Sequence, residues 1–331
     1  MERVTMEDVA REAGVSRSLV SLAYRGAPGV SAATRHRILD AGRRLNYTPN
    51  QIAARLAGRG GNTFGVFLQD LHNDLFADVY DGVREIAEAD GKHLVLAVGT
   101  IDGRRDAVSL QTLEQSRVDV IIATGVQLSN ADVRETAGRV PLVSVARLVP
   151  GVDSVWSDNH FGARLAIEHL IGLGHRRIVF LANPPSDGYL DRRRGYIDAM
   201  RDAGLLERVV TTTYARATAA LDAGVVLDSA DAPTAVFAHN DQAALGVLDA
   251  LAVRGLSAGR DVSVIGYDNS SVSRAPGTAL TTVDIHSQSL GRNAAITAMR
   301  RLAEPAAQPI THSSMPSLVI RGSTGPVGPA R

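Results

Sequence analysis

Apolar positions recur with a helical period over the first fifty residues and give way after Asn62 to short β-branched runs. Thr5 is placed to cap a first helix with Asp8 at its third position; Val9, Ala10 and Ala13 share one face, and Gly14 ends it. Ser16 is placed to cap a second helix from Arg17 to about Tyr24, whose Leu19, Val20 and Ala23 would meet a partner. After the turn RGAPG, Ser31 is placed to cap a third, from Ala32 to Leu45, with Thr34, Ile38, Leu39 and Leu45 closing a three-helix core.

Beyond Asn62, seven runs read as buried strands: TFGVFLQD, HLVLAVGT, VDVIIATG, VPLVSVA, RIVFLAN, TAVFAHN and VSVIGYD. Amphipathic stretches lie between them, including Phe76 to Asp90, Gly162 to Leu173 and Asp241 to Arg254. Alternating strands and helices predict parallel sheets covered on both faces, with about ten strands divided between two sheets. A chain of 331 residues fits that count, since domains usually run about 100–200 residues and two or three are expected.

Charge sharpens the division. Residues 1–60 hold ten Arg and no Lys against five Asp and Glu, whereas the rest is acidic by the same margin. A basic head on an acidic body suits a polyanion at the head only, although a solvated helical face would look the same. Two short helices joined by a Gly-containing turn and braced by a third form a helix-turn-helix, whose second helix enters the DNA major groove. Its leading face offers Ser16, Arg17, Ser18 and Ser21, residues that reach guanine edges or phosphates.

In open parallel sheets, ligands sit beyond the carboxyl ends of the strands. Those ends carry Gln69, Asp70, Thr124, Arg147, Asp158, Asn240, Asp241, Asp268 and Asn269, donors and acceptors suited to vicinal hydroxyls. Asx residues there also cap helices, and Asp241 is expected to do so. No G-x-G-x-x-G follows a strand and the single Lys, Lys92, lies outside any phosphate-binding loop, so nucleotide sites lose their signature. Cysteine is absent, which excludes disulfides and thiolate chemistry. The hydrophobic fraction of 45%, the charged fraction of 21% and the lack of a long apolar segment or signal-peptide pattern point to a folded, cytoplasmic protein.

The stretches DVAREAGVS, VSAATRHRIL and LNYTPNQIAARLAG, followed by DNHFGARLAIEHLIGLGHRRIVFLA, AVFAHNDQAALGVLDAL, DVSVIGYDN and LVIRGST, closely resemble the lactose repressor/galactose repressor (LacI/GalR) family. The likeness covers essentially the whole chain in the family's order. It implies an α/β protein: a three-helix helix-turn-helix headpiece (1–49), a hinge helix and linker (50–61), and a two-lobed core of doubly wound parallel sheets like periplasmic sugar-binding proteins (62–331). The first lobe would span about 62–160 plus 291–320, the second about 161–290. The hinge, starting at Pro49 and ending by Gly58, is about two turns long and too short to be stable alone, so it is expected to fold when paired on DNA.

DNA contact is expected at Thr5, Ser16, Arg17, Ser18, Ser21, Arg25, Ser31, Thr34, Tyr47 and Asn50, and the resemblance adds Ala53 and Leu56, with Leu56 wedged into the minor groove. The resemblance assigns effector contact to Phe76, Phe161, Arg192, Asn240 and Asp268, and Arg147 joins them as a strand-end residue. Arg192 is the first residue of the family's R-x-x-G-aromatic motif. Phe161 would either stack on the ligand or pack in the core, and Arg25 would either touch DNA or face solvent. The chain departs from common family patterns at Leu22 and Arg25 in the recognition region, and at NDLF and Ile285 in the core. The expectation is a dimeric, effector-responsive transcriptional repressor that binds palindromic operator DNA and a sugar-like metabolite. No cofactor, metal or membrane is expected, and the tail lacks the leucine heptads of tetrameric relatives. Two alternatives are a solute-binding protein without DNA function and an enzyme built on Asp241, Asp268, Asp284 and His239 or His286.

Overall fold

The computed structural model describes residues 4–24, 26–47, 63–183, 188–213 and 215–328. The chain forms two units, Met1–Gly60 and Gly61–Arg331.

In the first unit, Thr5 and Asp8 cap α1 (Met6–Ala13) reciprocally: the Asp8 N–H donates to the Thr5 hydroxyl at 3.3 Å, and the Thr5 N–H donates to the Asp8 carboxylate at 2.9 Å. The Thr5 hydroxyl, which donates to the Asp8 carboxylate at 2.7 Å, and the Thr5 N–H hold the Asp8 carboxyl below its usual range. Ser16 caps α2 (Arg17–Tyr24) through the Leu19 N–H at 3.3 Å, and Ser31 caps α3 (Ala32–Arg44) through the Thr34 N–H at 3.2 Å. Val9, Ala10, Ala13, Val20, Ala23, Ile38 and Ala41 form the core, with Leu19, Tyr24, Leu45 and Tyr47 packed around it. Ile38, Ala41 and Leu45 follow the i, i+3, i+7 spacing of one helical face. Leu39 lies off that face and Thr34 sits in the capping turn, so neither closes the core as expected; both are only partly buried.

The second unit contains two six-stranded sheets. The first combines β1 (Thr63–Leu68), β2 (His93–Val98), β3 (Val120–Thr124), β4 (Leu142–Val145), β5 (Asp153–Ser157) and β11 (Thr311–Ser314) in the order β11-β5-β4-β3-β1-β2, all parallel. The second combines β6 (Ile178–Ala182), β7 (Arg208–Thr211), β8 (Ala235–Ala238), β9 (Ser263–Asp268), β10 (Thr281–Asp284) and β12 (Ser317–Val319) in the order β12-β10-β9-β8-β6-β7. It is parallel except for β12 against β10.

Covering helices are α4 (Asp74–Ala89), α5 (Asp106–Gln115), α6 (Asn130–Arg139), α7 (Asn159–Gly172), α8 (Tyr189–Asp202), α9 (Arg216–Leu227), α10 (Asp241–Val253), α11 (Ser271–Arg274) and α12 (Ser287–Ala303). Central strands β1, β3, β4, β6, β8 and β9 are buried along their whole length, which is why they read as continuous apolar runs. The described residues hold twelve strands, and the five outside the seven runs are β5, β7 and the short β10, β11 and β12.

The chain passes between the lobes three times: from β5 to α7, from β10 to α12, and from β11 to β12. The strand β12, expected with the first lobe, pairs with the second instead. Its ladder is antiparallel because the chain leaves β10 and enters β12 at the same end of the sheet, Asp284 pairing with Ser317. Among the described residues, no helix is long and apolar enough to cross a membrane.

Helices α4 and α12 cross with their backbones in contact. A Cβ on Gly82 would collide with the Gln288 carbonyl, and one on Gly291 with the Val79 carbonyl. Gly291→Val is therefore expected to destabilise the core unit by about 1–3 kcal/mol. Gly138→Ala, near the end of α6 with open space around its Cβ position, should instead stabilise by up to about 1 kcal/mol. Denaturant midpoints of the two variants check both signs.

Candidate functional sites: a helical DNA face and an interlobe cleft

The leading turn of α2 is exposed. Ser16, Ser18 and Arg17 face solvent, and the Ser16 and Ser18 hydroxyls are 2.9 Å apart. Arg17 lies 3.6 Å from the Glu7 carboxylate with both side chains about two-thirds exposed, a pairing weak enough to exchange for DNA. Ser21 is half-buried. Thr5, Ser16, Ser31 and Thr34 are engaged in caps, with the Ser31 and Thr34 hydroxyls bonded at 2.9 Å. Tyr47 is half-buried edge-on to Tyr24, with ring centroids 5.4 Å apart. Sequence reasoning missed Arg35, which donates to the Ala27 carbonyl at 2.7 Å and ties the turn between α2 and α3 to α3. Arg25, Asn50, Ala53, Leu56 and the expected hinge helix lie outside the described residues.

In the core unit, a cleft opens between the lobes. From the first lobe come Gln69 and Asp70 after β1, Gly125 after β3, Ala146 after β4, and Leu75 and Phe76 on α4. From the second come Asn159, Arg192, His239, Asn240, Asp268 and Ile285. The register of the second sheet explains this clustering. Carried to the strand ends, it sets Thr212, Asn183, Asn240, Asp268 and Asp284 in one row across β7, β6, β8, β9 and β10. Asn183 and Thr212, at the far end of that row, bury side-chain polar atoms that have no hydrogen-bond partner among the described residues.

Arg192 anchors the cleft. Its Nε donates to the Asn159 Oδ1 at 2.8 Å, one Nη to the His239 carbonyl at 2.6 Å, and the other lies 3.5 Å from the Asp268 carboxylate. The guanidinium sits 3.7 Å from the centre of the Tyr267 ring. Arg192 and Asp268 are both almost fully buried. Burial pushes the Asp268 carboxyl up to about 8; the Arg192 charge and a hydrogen bond from Asn73 oppose this, and the Asp241 and Asp78 charges add to it. Near neutrality Asp268 can therefore donate as well as accept a hydrogen bond. Burial and the Arg192 charge together hold His239 neutral.

Four expected effector residues, Phe76, Arg192, Asn240 and Asp268, line the cleft. Arg147 does not. Ala146 turns the chain with φ of 72°, and the Arg147 guanidinium bonds the carbonyls of Val126 and Leu128, each at 2.8 Å, and the Asn130 side chain. Phe161 is also not part of the lining. It lies half-buried in the first turn of α7, where its N–H meets the capping Asp158 at 2.9 Å. Asp241 does not cap α10. Asn240 does so through the Ala243 N–H at 2.9 Å, which leaves the Asn240 amide nitrogen for the cleft. Asp241 instead accepts from the Thr282 hydroxyl at 2.6 Å and from the Ser270 N–H and hydroxyl at 2.8 and 2.9 Å.

Asn73 and Asn159 were missed as site residues, although they stand inside the quoted motifs NDLF and DNHF. Among the described residues, no three His, Asp or Glu side chains gather as metal ligands.

The raised Asp268 and Asp241 carboxyls have a consequence for stability. The fold binds their protons more tightly than the unfolded chain does, so their contribution is complete below the unfolded carboxylate range near pH 4 and is lost as pH rises through about 6 and 8. Asp268→Asn should therefore flatten the decline in melting temperature between about pH 5 and 8. A pH series of thermal melts on parent and variant checks this.

Two family profiles match the chain: "Bacterial regulatory proteins, lacI family" over residues 5–50 and "Periplasmic binding protein-like domain" over residues 167–324. The HTH-type transcriptional regulator DegA of Bacillus subtilis (strain 168) is 30% identical over 98% of this chain and 99% of its own length. Among solved structures, the Lac repressor dimer bound to operator and the anti-inducer ONPF superposes with a TM-score of 0.84, at 27% identity over 98% of this chain and 99% of that one. The transcriptional regulator CelR in complex with cellobiose gives a TM-score of 0.71, at 27% identity over 97% and 100%. With relatives of this kind aligned over nearly their whole length, the chain belongs to the lacI family of bacterial regulatory proteins and is a ligand-responsive, DNA-binding transcriptional regulator, not an enzyme.

Proposed function

We propose that the chain is a cytoplasmic homodimeric repressor that reads a palindromic operator and is switched by a neutral, sugar-like metabolite held between its lobes. The reading rests on the buried Arg192–Asp268 pair at the bottom of a two-lobed cleft, with Asn240 beside it. A guanidinium, a carboxyl that can both donate and accept, and an amide nitrogen match adjacent hydroxyls; Phe76, Leu75 and Ile285 supply an apolar wall for a ring face. Two similar structures support the reading, since one is described with cellobiose and the other as a dimer on operator.

In this reading residues 1–49 dock on DNA, 50–61 form the hinge with Leu56 and Ala53 at the operator centre, and 62–331 bind effector and dimerise. Arg17 and Ser18 would read bases, while Thr5, Ser16, Ser31 and Thr34 would present their capped helix starts to phosphates, with Ser21, Arg25, Tyr47 and Asn50 flanking them. Exposed apolar side chains on the packed pair α9 and α10, namely Leu221, Val225 and Val253, favour a covered subunit surface there. Two headpieces related by a two-fold axis then meet two half-sites.

A selection from random DNA should return a palindrome. Arg17→Ala should relax base preference at one position of each half-site, at a cost of about 1–3 kcal/mol; a loss uniform over all sequences would make Arg17 a phosphate contact. Arg192→Ala should retain operator affinity and lose the response to the sugar that moves the parent. Effector titrations monitored by operator-binding anisotropy measure this, and equal responses in parent and variant would remove the cleft from the mechanism.

A further inference from the structure

At the rim of the cleft, the start of α4 in the first lobe meets the segment from β9 to α11 in the second. One Nη of Arg274 donates to both oxygens of Asp78, at 3.1 and 3.2 Å, and the other donates to the Asn269 carbonyl at 2.6 Å. The Ser271 hydroxyl donates to the Asp74 carboxylate, and Asn73 bonds Asp268. Apart from the Arg274–Asn269 bond, these contacts join residues 73–78 to residues 268–274. Asp78 is almost buried, and burial raises its carboxyl while Arg274 pulls it back.

The segment that Arg274 holds carries backbone strain. Asp268 and Asn269 have φ of 106° and 49°, a conformation that side-chain-bearing residues keep only where their surroundings fix them. Here the Asn269 side chain accepts from Arg321 at 2.8 Å and donates to Asp284 at 2.9 Å, and its N–H donates to the Thr282 hydroxyl at 3.3 Å. Arg274 adds the bond to the Asn269 carbonyl. It is therefore attached both to the turn that presents Asp268 and to the helix that brings Leu75 and Phe76 to the opposite wall.

We propose that Arg274 and Asp78 are positioning residues of the effector site, which tie the orientation of Asp268 to the approach of the two lobes. The inference rests on the cleft being the effector site. In the ligand-free protein the pair biases the lobes toward the joined arrangement, so that an effector bonded to Asp268 need not first gather the opposite wall.

The test needs neither effector nor operator. The chain has no cysteine, so spin labels at Arg104→Cys in the first lobe and Leu206→Cys in the second, both highly exposed, report the interlobe distance. Labelled chains are diluted with unlabelled parent so that each dimer carries one labelled protomer. By pulsed dipolar spectroscopy, the otherwise unchanged chain should give one narrow distance distribution. Arg274→Met and Asp78→Asn should each broaden or shift it, and Asp78→Glu should retain the narrow form. Narrow, unshifted distributions in both Arg274→Met and Asp78→Asn overturn the proposal. That outcome leaves the effector reading intact, because the effector reading fails only on the Arg192→Ala titration.

Discussion

The buried contact between Arg192 and Asp268 is the constraint on which the cleft depends. The Arg192 charge is not tolerable at that depth without partners, and removing one of them is far costlier than the net contribution of the contact to stability. The surroundings are built to satisfy both partners. Asn159 and the His239 carbonyl take two further Arg192 donors, Tyr267 offers its ring face, and Asn73 reaches Asp268 from the other lobe. Each of these partners stands at or near a strand end or helix start. The doubly wound fold thereby brings together residues separated by up to about two hundred positions in sequence.

A second layer of polar groups supports the first. Asp241 is not part of the cleft lining; it joins Thr282 on β10 to Ser270 just before α11. Asn269 is bonded on every polar group that its strained conformation presents. Such a network holds Asp268 in one orientation, and a half-satisfied version would cost more than an apolar core. The same logic operates on a smaller scale in the headpiece, where three capped helix starts substitute for the large core that so short a unit cannot build.

Much of this was legible in the sequence. The central strands stood out because burial on both faces leaves only apolar residues, and the caps at Thr5, Ser16 and Ser31 followed from local chemistry. Edge strands such as β11, with its THSS sequence, carry no such pattern because their pairing is imposed by the neighbouring strand. At the site, sequence position located the strand ends but not the direction of the side chains. One left-handed residue, Ala146, turns Arg147 away from the cleft. Helical rotation separates Asn159, which lines it, from Phe161, which does not. Both Asn240 and Asp241 could have capped α10; extended backbone at Asn240 gives it that role.

The path by which a ligand can act follows from where the lobes are joined. Each sheet is close-packed and deforms little, so relative motion must concentrate in the three crossings between lobes. Two of these crossings supply cleft residues directly: Ser157 and Asn159 flank the first, and Ile285 begins the second. His286, next in the second crossing, has φ of 58°, and its N–H donates to the Asp284 carboxylate at 2.7 Å. Hinge and site therefore share residues. A ligand that prefers one geometry of these residues shifts the lobe arrangement by its differential affinity alone, with no separate route through the protein required.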